Sequence, residues 1–441
     1  MGGVSVNTYF HSVRLLPDRC KGCVNCIKRC PTEAIRIRGG KARIIEARCI
    51  DCGECIRRCS SHAKSAVTDS IEDLPRFSYN IALPAPTLYA QFGADTPLES
   101  ILYGLKRLGF DAVFEVARGA DFVSRAIGGY LRQGGCCLPA ISSACPAVVR
   151  LIQVKFPELI EHLVPFAAPA EVAAKLAREL AKRETGLAAA DIGAWFLTPC
   201  PAKMTAVKQP LGSEQSHLSG AIAISKIYSD LLKVLPCEPA AAICSRASPL
   251  GVGWAVSGGE ALAVAPVQTL VVDGIHRVSE ILEQIALGKL KHAGYIEALA
   301  CAGGCIGGPL TVENRYVAED RMLRRAQGWQ PSGDDALLES VYREIAADAR
   351  AAIEPQPAMR MDADILQAIS KVELMEMLLE RLPGLDCGAC GSPGCKALAE
   401  DIAQGIASET DCVFKLREKV RDLAQEMVGL AGKLPPSLTK L

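Results

Sequence analysis

The chain has 441 residues, with 49 Lys+Arg balanced by 49 Asp+Glu, 49% hydrophobic residues and 22% charged ones. That length calls for two to four domains, and the zero net charge gives no field that would draw the protein to nucleic acid or a membrane surface. No apolar run approaches the roughly eighteen residues of a membrane span, and the N-terminus lacks the apolar core of a signal peptide, so a cytoplasmic protein without membrane insertion is expected.

Twenty cysteines in such a chain exclude a disulfide framework, because cytosolic thiols are kept reduced. Eight lie between Cys20 and Cys59, four between Cys387 and Cys412, and the other eight between Cys136 and Cys305. Clusters at gaps of two and three suit metal ligation, in which several thiolates converge on one centre.

Residues 1–80 read as a small α+β domain dominated by cysteine. Cys20, Cys23, Cys26 and Cys30 precede Pro31 in a C-x2-C-x2-C-x3-C-P run. Cys49, Cys52, Cys55 and Cys59 repeat the spacing, with Ser60 in place of the proline. Zinc sites would use two separated C-x2-C knuckles rather than three cysteines in one run. The runs resemble those of bacterial two-cluster ferredoxins, in which the fourth cysteine of each run ligates the other cluster. On that resemblance Cys20, Cys23, Cys26 and Cys59 hold one [4Fe–4S] cluster, and Cys49, Cys52, Cys55 and Cys30 hold the second. Residues 1–70 carry thirteen Lys/Arg against six Asp/Glu. That excess favours an acidic redox partner such as ferredoxin, with a plain solvated basic face as the alternative.

From residue 81 to 352 the texture changes to short apolar runs alternating with amphipathic stretches. Thr87–Phe92, Asp111–Val116, Leu163–Ala167, Ala194–Leu197, Thr269–Val272 and Tyr295–Ala300 read as strands, and Glu171–Lys182 and Val278–Leu287 as helices. The alternation predicts an α/β domain with a mostly parallel sheet in two lobes. Three cysteine segments follow strand-like runs: Ile141–Ser142–Ser143–Ala144–Cys145–Pro146, Thr198–Pro199–Cys200–Pro201–Ala202–Lys203, and the stretch from Glu297 through Cys301 and Cys305 to Gly308. The carboxyl edge of a parallel sheet is where ligands collect.

A lone Cys-Pro is usually a small buried thiol. Three such segments in this order resemble the H-cluster motifs of the [FeFe]-hydrogenase large subunit, TSCCP, MPCxxK and ExMxCxxGC, over roughly residues 80–350. The resemblance implies that Cys145, Cys200, Cys301 and Cys305 hold a [4Fe–4S] cluster. Cys305 would also bridge to a two-iron subsite bearing carbonyl, cyanide and dithiolate ligands, and Lys203 would hydrogen-bond a cyanide. It further implies heterolytic cleavage of dihydrogen, electrons leaving through the clusters, and hydrogenase maturation proteins as partners. The glycines around Cys305 read as room for a bulky cluster beside the backbone.

Departures from the family pattern shape the expected function. Ala144 stands where the family places a proton-relaying cysteine. In the segment Ala120–Asp121–Phe122–Val123–Ser124–Arg125–Ala126–Ile127, the last two residues replace paired glutamates. Thr198 and Leu299 replace two methionines, and Ala206 replaces a glutamate. Ligands are kept while the proton route is vacated, which resembles the sensory branch of the family. The expectation is an oxidoreductase that binds and slowly activates dihydrogen and reports to a signalling partner. A conventional ferredoxin-linked hydrogenase, and an electron-transfer scaffold without the two-iron subsite, are the alternatives. Cys136, Cys137, Cys237 and Cys244 match no ligand motif and read as buried or free thiols. His62, His217, His276 and His292 show no metal spacing.

Residues 353–363, containing Glu354–Pro355–Gln356–Pro357, read as a linker, and 364–441 as a small helical domain. Ile365, Ile369, Val372, Met375, Leu379 and Leu382 fall at helical spacing. The pattern Cys387-x2-Cys390-x4-Cys395-x16-Cys412 is similar to the small [4Fe–4S] domain found in Rnf-type electron-transport complexes and in corrinoid iron–sulfur proteins. Zinc is the competing reading. Leu398, Ile402 and Ile406 let a helix carry the chain back to Cys412. Beyond it Leu416, Val420, Leu423, Met427, Leu430 and Leu434 step by four and three. The stripe is short for a coiled coil, so packing against its own domain is expected ahead of a homodimer.

Overall fold

The computed structural model describes residues 9–134, 136–235, 245–264, 268–327, 336–345, 352–356 and 358–433. The chain falls into two compact units. The first takes in Met1–Arg14, Ile50–Arg57 and Lys64–Pro357, and the second Leu15–Cys49, Arg58–Ala63 and Ala358–Leu441.

In the first unit a four-stranded sheet runs in the order Ala112–Val113, Tyr79–Pro84, Ile192–Thr198 and Gly220–Ala223, every pairing parallel. Ile192–Thr198 is buried at all seven positions, which explains its continuous apolar sequence: a central parallel strand is covered on both faces. Trp195 within it is fully buried, and its indole N–H donates to Asn80 Oδ1 at 2.8 Å, so the large ring brings no unpaired polar atom into the core. A second parallel sheet orders Thr269–Asp273, Tyr295–Leu299 and Ala140–Ile141. The two sheets are the two lobes read from the sequence.

Two strand expectations shift. Thr87–Phe92 is not a strand: Pro86–Gln91 forms a fully buried 3-10 helix, and the strand precedes it at Tyr79–Pro84. Pro86 has no N–H for a ladder and its fixed φ suits the first helical position, so the strand ends before it. Leu163–Ala167 makes only a single bridge, from Leu163 to Ile141. The segment read as a linker is pinned. Gln356 N donates to Gln153 O at 3.0 Å and Gln153 Nε2 donates to Glu354 O at 2.8 Å, against the helix Pro146–Lys155.

The second unit holds an antiparallel ribbon, Ile35–Arg38 with Lys41–Ile44, and the helices Ile365–Arg381, Cys395–Ala403 and Val413–Ala431. Leu378, Leu382, Leu398, Ala399 and Cys412 form its small core. Stretches on either side of the hydrogenase-like block are thus one compact unit, joined by ions. Arg36 Nε and Arg38 Nη2 both donate to Asp401 Oδ2 at 2.7 Å, Ser392 Oγ donates to the same oxygen at 2.9 Å, and Arg48 forks onto Glu400. Arg36, Arg48, Glu400 and Asp401 are all buried, and the Glu400 carboxylate holds the Arg48 guanidinium above its ordinary range. Of the apolar residues that defined the Ile365–Arg381 helix, Ile365 and Ile369 are exposed while Leu382 is buried. No helix among the described residues is long and apolar enough to cross a membrane.

Candidate metal centre and its surroundings

Cys200 lies two residues beyond Ile192–Thr198, Cys301 two beyond Tyr295–Leu299, and Cys145 four beyond Ala140–Ile141. All three sit at carboxyl ends of parallel strands, as the sequence implied. Cys145 and Cys200 are the N-caps of Pro146–Lys155 and Pro201–Lys208, each followed by proline at the first helical position. Proline there needs no partner for a missing N–H, so Cys-Pro starts a helix and presents the thiol at its positive end. Thr198 braces the second site: Cys200 N donates to Thr198 Oγ1 at 3.3 Å, and the Thr198 hydroxyl donates to Cys200 O at 3.1 Å.

Cys145, Cys200, Cys301 and Cys305 line one apolar cavity together with Lys203, Ala144, Ala206 and Leu299. Burial pushes the Cys200 thiol up to about 12 and the Cys145 thiol to about 11, with the neighbouring thiols adding to both. Burial also raises Cys301, against the pull of Arg57. Lys203 Nζ is 3.4 Å from Cys305 Sγ. Burial works against the Lys203 charge, but Cys305, Cys200 and Cys145 more than reverse it and hold the ammonium above its ordinary range. Four converging thiols whose ionisation is opposed by burial and by one another call for a cationic centre, since metal binding deprotonates its thiol ligands. The donor set fits a [4Fe–4S] cluster.

Gly304, at φ +88°, has another reason to be glycine than the one expected. A Cβ there would lie 2.6 Å from Ser257 N and 2.8 Å from Ala255 O, so the close approach is to protein backbone. Gly53, between Cys52 and Cys55, is the counterpart on the second cysteine run. At φ +75° its missing Cβ would meet Pro309 Cγ at 2.5 Å and Pro201 Cγ at 3.1 Å, beside Cys305 and Cys200. Arg57, two residues past Cys55, hydrogen-bonds Gly307 O and the Cys301 thiol. Burial disfavours its charge, yet Cys301 and Glu54 keep the guanidinium above its usual range.

A polar network that the motifs did not reveal reaches the same cavity. Glu260, on the short helix Gly259–Val264, is buried and also lines it. Its carboxylate accepts from Ser142 Oγ at 2.8 Å and from the Tyr295 hydroxyl at 2.5 Å, and Ala144 N donates to Ser142 Oγ at 3.2 Å. Burial, then the charge of Glu297, pushes Glu260 up to about 8. Glu297 itself accepts from Gly258 N at 2.9 Å and Ala261 N at 2.7 Å, which fixes the turn carrying Glu260. Glu260 follows Ser257–Gly258–Gly259 in a stretch without motif character, so only proximity in the fold could have found it. Ala126 and Ile127 do not line the cavity; Ile127 packs in the core with Val123, Ala140 and Tyr295, where a carboxylate would be buried without need.

The ferredoxin-like runs share local geometry. Ala34 N donates to Cys30 Sγ at 3.2 Å and Ala63 N to Cys59 Sγ at 3.1 Å, while Glu33 and His62 adopt matching φ values of 49° and 50°. Ala42 N donates to Cys20 Sγ at 3.4 Å. Such N–H···S bonds are the usual dressing of cluster thiolates. Cys20, Cys23, Cys26, Cys30, Cys49 and Cys59 fall in the second unit, Cys52 and Cys55 in the first. At the C-terminus Cys390, Cys395 and Cys412 come together around the small core, and Cys387 is close enough to add its charge to the upward push that burial gives Cys390. Cys136 is half-buried and Cys137 exposed; Cys237 and Cys244 lie outside the described residues.

Residues 78–218 and 253–309 match the family "Iron only hydrogenase large subunit, C-terminal domain". Residues 12–60 match "4Fe-4S dicluster domain", and 382–414 match a family of Fe-S cluster domains. The chain is 24% identical over 289 residues to the NADP-reducing hydrogenase subunit HndD of Solidesulfovibrio fructosivorans, covering 52% of this chain and 49% of that one. It is 42% identical over 59 residues to a component of the ion-translocating oxidoreductase complex of Rhodobacter capsulatus, covering 13% of this chain and 32% of that one. The chain thus spans between a third and a half of the length of these relatives. A variant of the [FeFe]-hydrogenase HydA1 from Chlamydomonas reinhardtii superposes with a TM-score of 0.51 at 14% identity, covering 65% of this chain and 98% of that one, which shows a shared fold. The central domain belongs with the iron-only hydrogenase large subunits, between a dicluster domain and a C-terminal Fe–S domain.

Proposed function

We propose that this [FeFe]-hydrogenase-like iron–sulfur protein carries an H-cluster on Cys145, Cys200, Cys301 and Cys305 and binds and slowly activates dihydrogen, as a hydrogen or redox sensor rather than a high-turnover enzyme. The observation that carries this reading is the convergence of four buried thiols and Lys203 on a cavity whose wall at residue 144 is a methyl group. Bound there, the group supplies heterolytic activation of dihydrogen. Lys203, a compact buried cation, suits an anionic cyanide. Arg57 and Gly53 support electron passage, since they bring the Cys52–Cys55 loop against the loops of Cys200, Cys301 and Cys305. Ala144 offers no proton to the cavity. Glu260 takes that part: a carboxyl raised to about 8, linked through Ser142 to the backbone at Ala144, is poised to exchange a proton near neutral pH. An acidic redox protein suits the basic N-terminal segment as electron partner.

The test is infrared spectroscopy of protein made with hydrogenase maturation proteins. Carbonyl and cyanide bands that shift under dihydrogen are expected, with about 18 irons per chain for four cubes and a two-iron subsite. Without maturation, about 16 irons and no bands are expected. Matured protein lacking the bands would favour the electron-transfer scaffold. Stoichiometric zinc would remove the C-terminal cluster assignment.

Ala144→Cys should raise turnover, because it restores a proton-bearing group in the cavity wall. The gain should stay below the roughly 10²–10⁴-fold of a fully positioned acid–base group, since nothing beyond the new thiol was arranged to serve it. Initial rates of dihydrogen uptake, with the infrared bands as a loading control, measure this. An unchanged rate would show that proton transfer at this position is not limiting.

A further inference from the structure

The helix Val413–Ala431 buries none of its residues. Leu416, Val420, Leu423, Met427 and Leu430 are between 46% and 71% exposed, contrary to the expectation that this stripe packs on its own domain. With Val413 they recur at alternating gaps of three and four, the a/d spacing of a coiled-coil seam. A lone helix of this length gains little from propensity, and most helical stability comes from covering an apolar face.

We propose that this helix pairs antiparallel with its own copy in a second chain, making the protein a homodimer through its C-terminal helix. The sequence favours that occupant because the stripe and its flanks are self-complementary under a two-fold axis. An antiparallel register that sets Val420 opposite the partner's Leu423 also sets Val413 opposite the partner's Leu430 and Met427 opposite the partner's Leu416, so every described seam position is filled. The same register brings Lys419 beside the partner's Glu426, and symmetry makes the contact twice. On the other edge Arg417 meets the partner's Ala424, with no like charges apposed. A parallel pair would place Lys419 against the partner's Ala424 and Glu426 against the partner's Ala431, forming no charge pair. Edge charges of this kind set orientation in paired helices.

Light scattering coupled to size exclusion, on the full iron-loaded chain, should give twice the 46.9 kDa of one chain. Leu423→Glu, at a position 46% exposed, should yield a folded monomer with its cluster absorbance unchanged. Lys419→Glu and Glu426→Lys should each weaken dimerisation roughly tenfold, and the double variant should restore it, because two exposed pairs turn repulsive and then attractive again. A monomeric wild type at tens of micromolar, or a Leu423→Glu protein that still dimerises, overturns the proposal. Single reversals that leave the dimer unweakened overturn the antiparallel register.

Discussion

Glu260→Gln should lower dihydrogen turnover by roughly 10²–10⁴-fold, the usual contribution of a positioned acid–base group, while the carbonyl and cyanide bands stay in place. Glutamine keeps the shape and can still accept from Ser142 and Tyr295, so the loss would be of the proton rather than of the fold. Uptake needs the carboxylate as acceptor, and evolution needs the acid as donor. With the carboxyl raised to about 8, uptake should climb and evolution fall as pH passes about 8, and both inflections should vanish in the variant. The sign of the stability effect is also fixed. A carboxyl raised in the folded state is most favourable to folding at acid pH, and its contribution declines as pH rises from the ordinary carboxylate range to about 8. A variant with wild-type rates would remove Glu260 from the proton route and leave the cavity without an assigned donor.

Asp401→Ala should destabilise the second unit by about 3–5 kcal/mol, the cost of leaving a buried ion without its counter-charge. Asp401 Oδ2 is the meeting point of Arg36, Arg38 and Ser392, and Arg36 is only 4% exposed. Urea unfolding followed by visible cluster absorbance measures the change. A midpoint that does not move would mean that the arginines reach water once the carboxylate is gone. Removing 358–433 altogether is a different experiment, because it takes away both Glu400 and Asp401 and bares the ribbon that carries Arg36 and Arg38. Iron should then be lost from the N-terminal cysteines as well as from the tail.

The parts of the site that could be read in advance were those with a covalent pattern. Cysteine spacing marks a ligand set regardless of tertiary context, and Cys-Pro after an apolar run marks a strand end followed by a helix start. Ile192–Thr198 and Tyr295–Leu299 were legible because buried parallel strands need uninterrupted apolar sequence. Pro86–Gln91 was not, since a buried 3-10 turn and a buried strand share the same composition. Glu260 was invisible for a different reason. Its partners Ser142 and Tyr295 are 118 and 35 residues away, and no periodicity in the chain records that meeting. The Arg36, Arg38 and Arg48 contacts with Glu400 and Asp401 were hidden likewise, each side reading alone as an ordinary charge.

Gly53 sets a condition on anyone who would rewire this protein. Exchanging the second cysteine run for that of another ferredoxin keeps the ligand spacing automatically, because C-x2-C-x2-C is shared by the bacterial type. The residue after the second cysteine of that run is free to vary in a ferredoxin working alone. Here a single methyl at that position would press into Pro309 and Pro201, against rings that cannot rotate aside. A graft that satisfies every iron ligand can therefore still push the donor loop away from the loops of Cys200 and Cys305, and electron tunnelling falls off steeply with each added ångström. Compatibility between interchangeable redox modules is set in this chain by one carbon atom that must be missing.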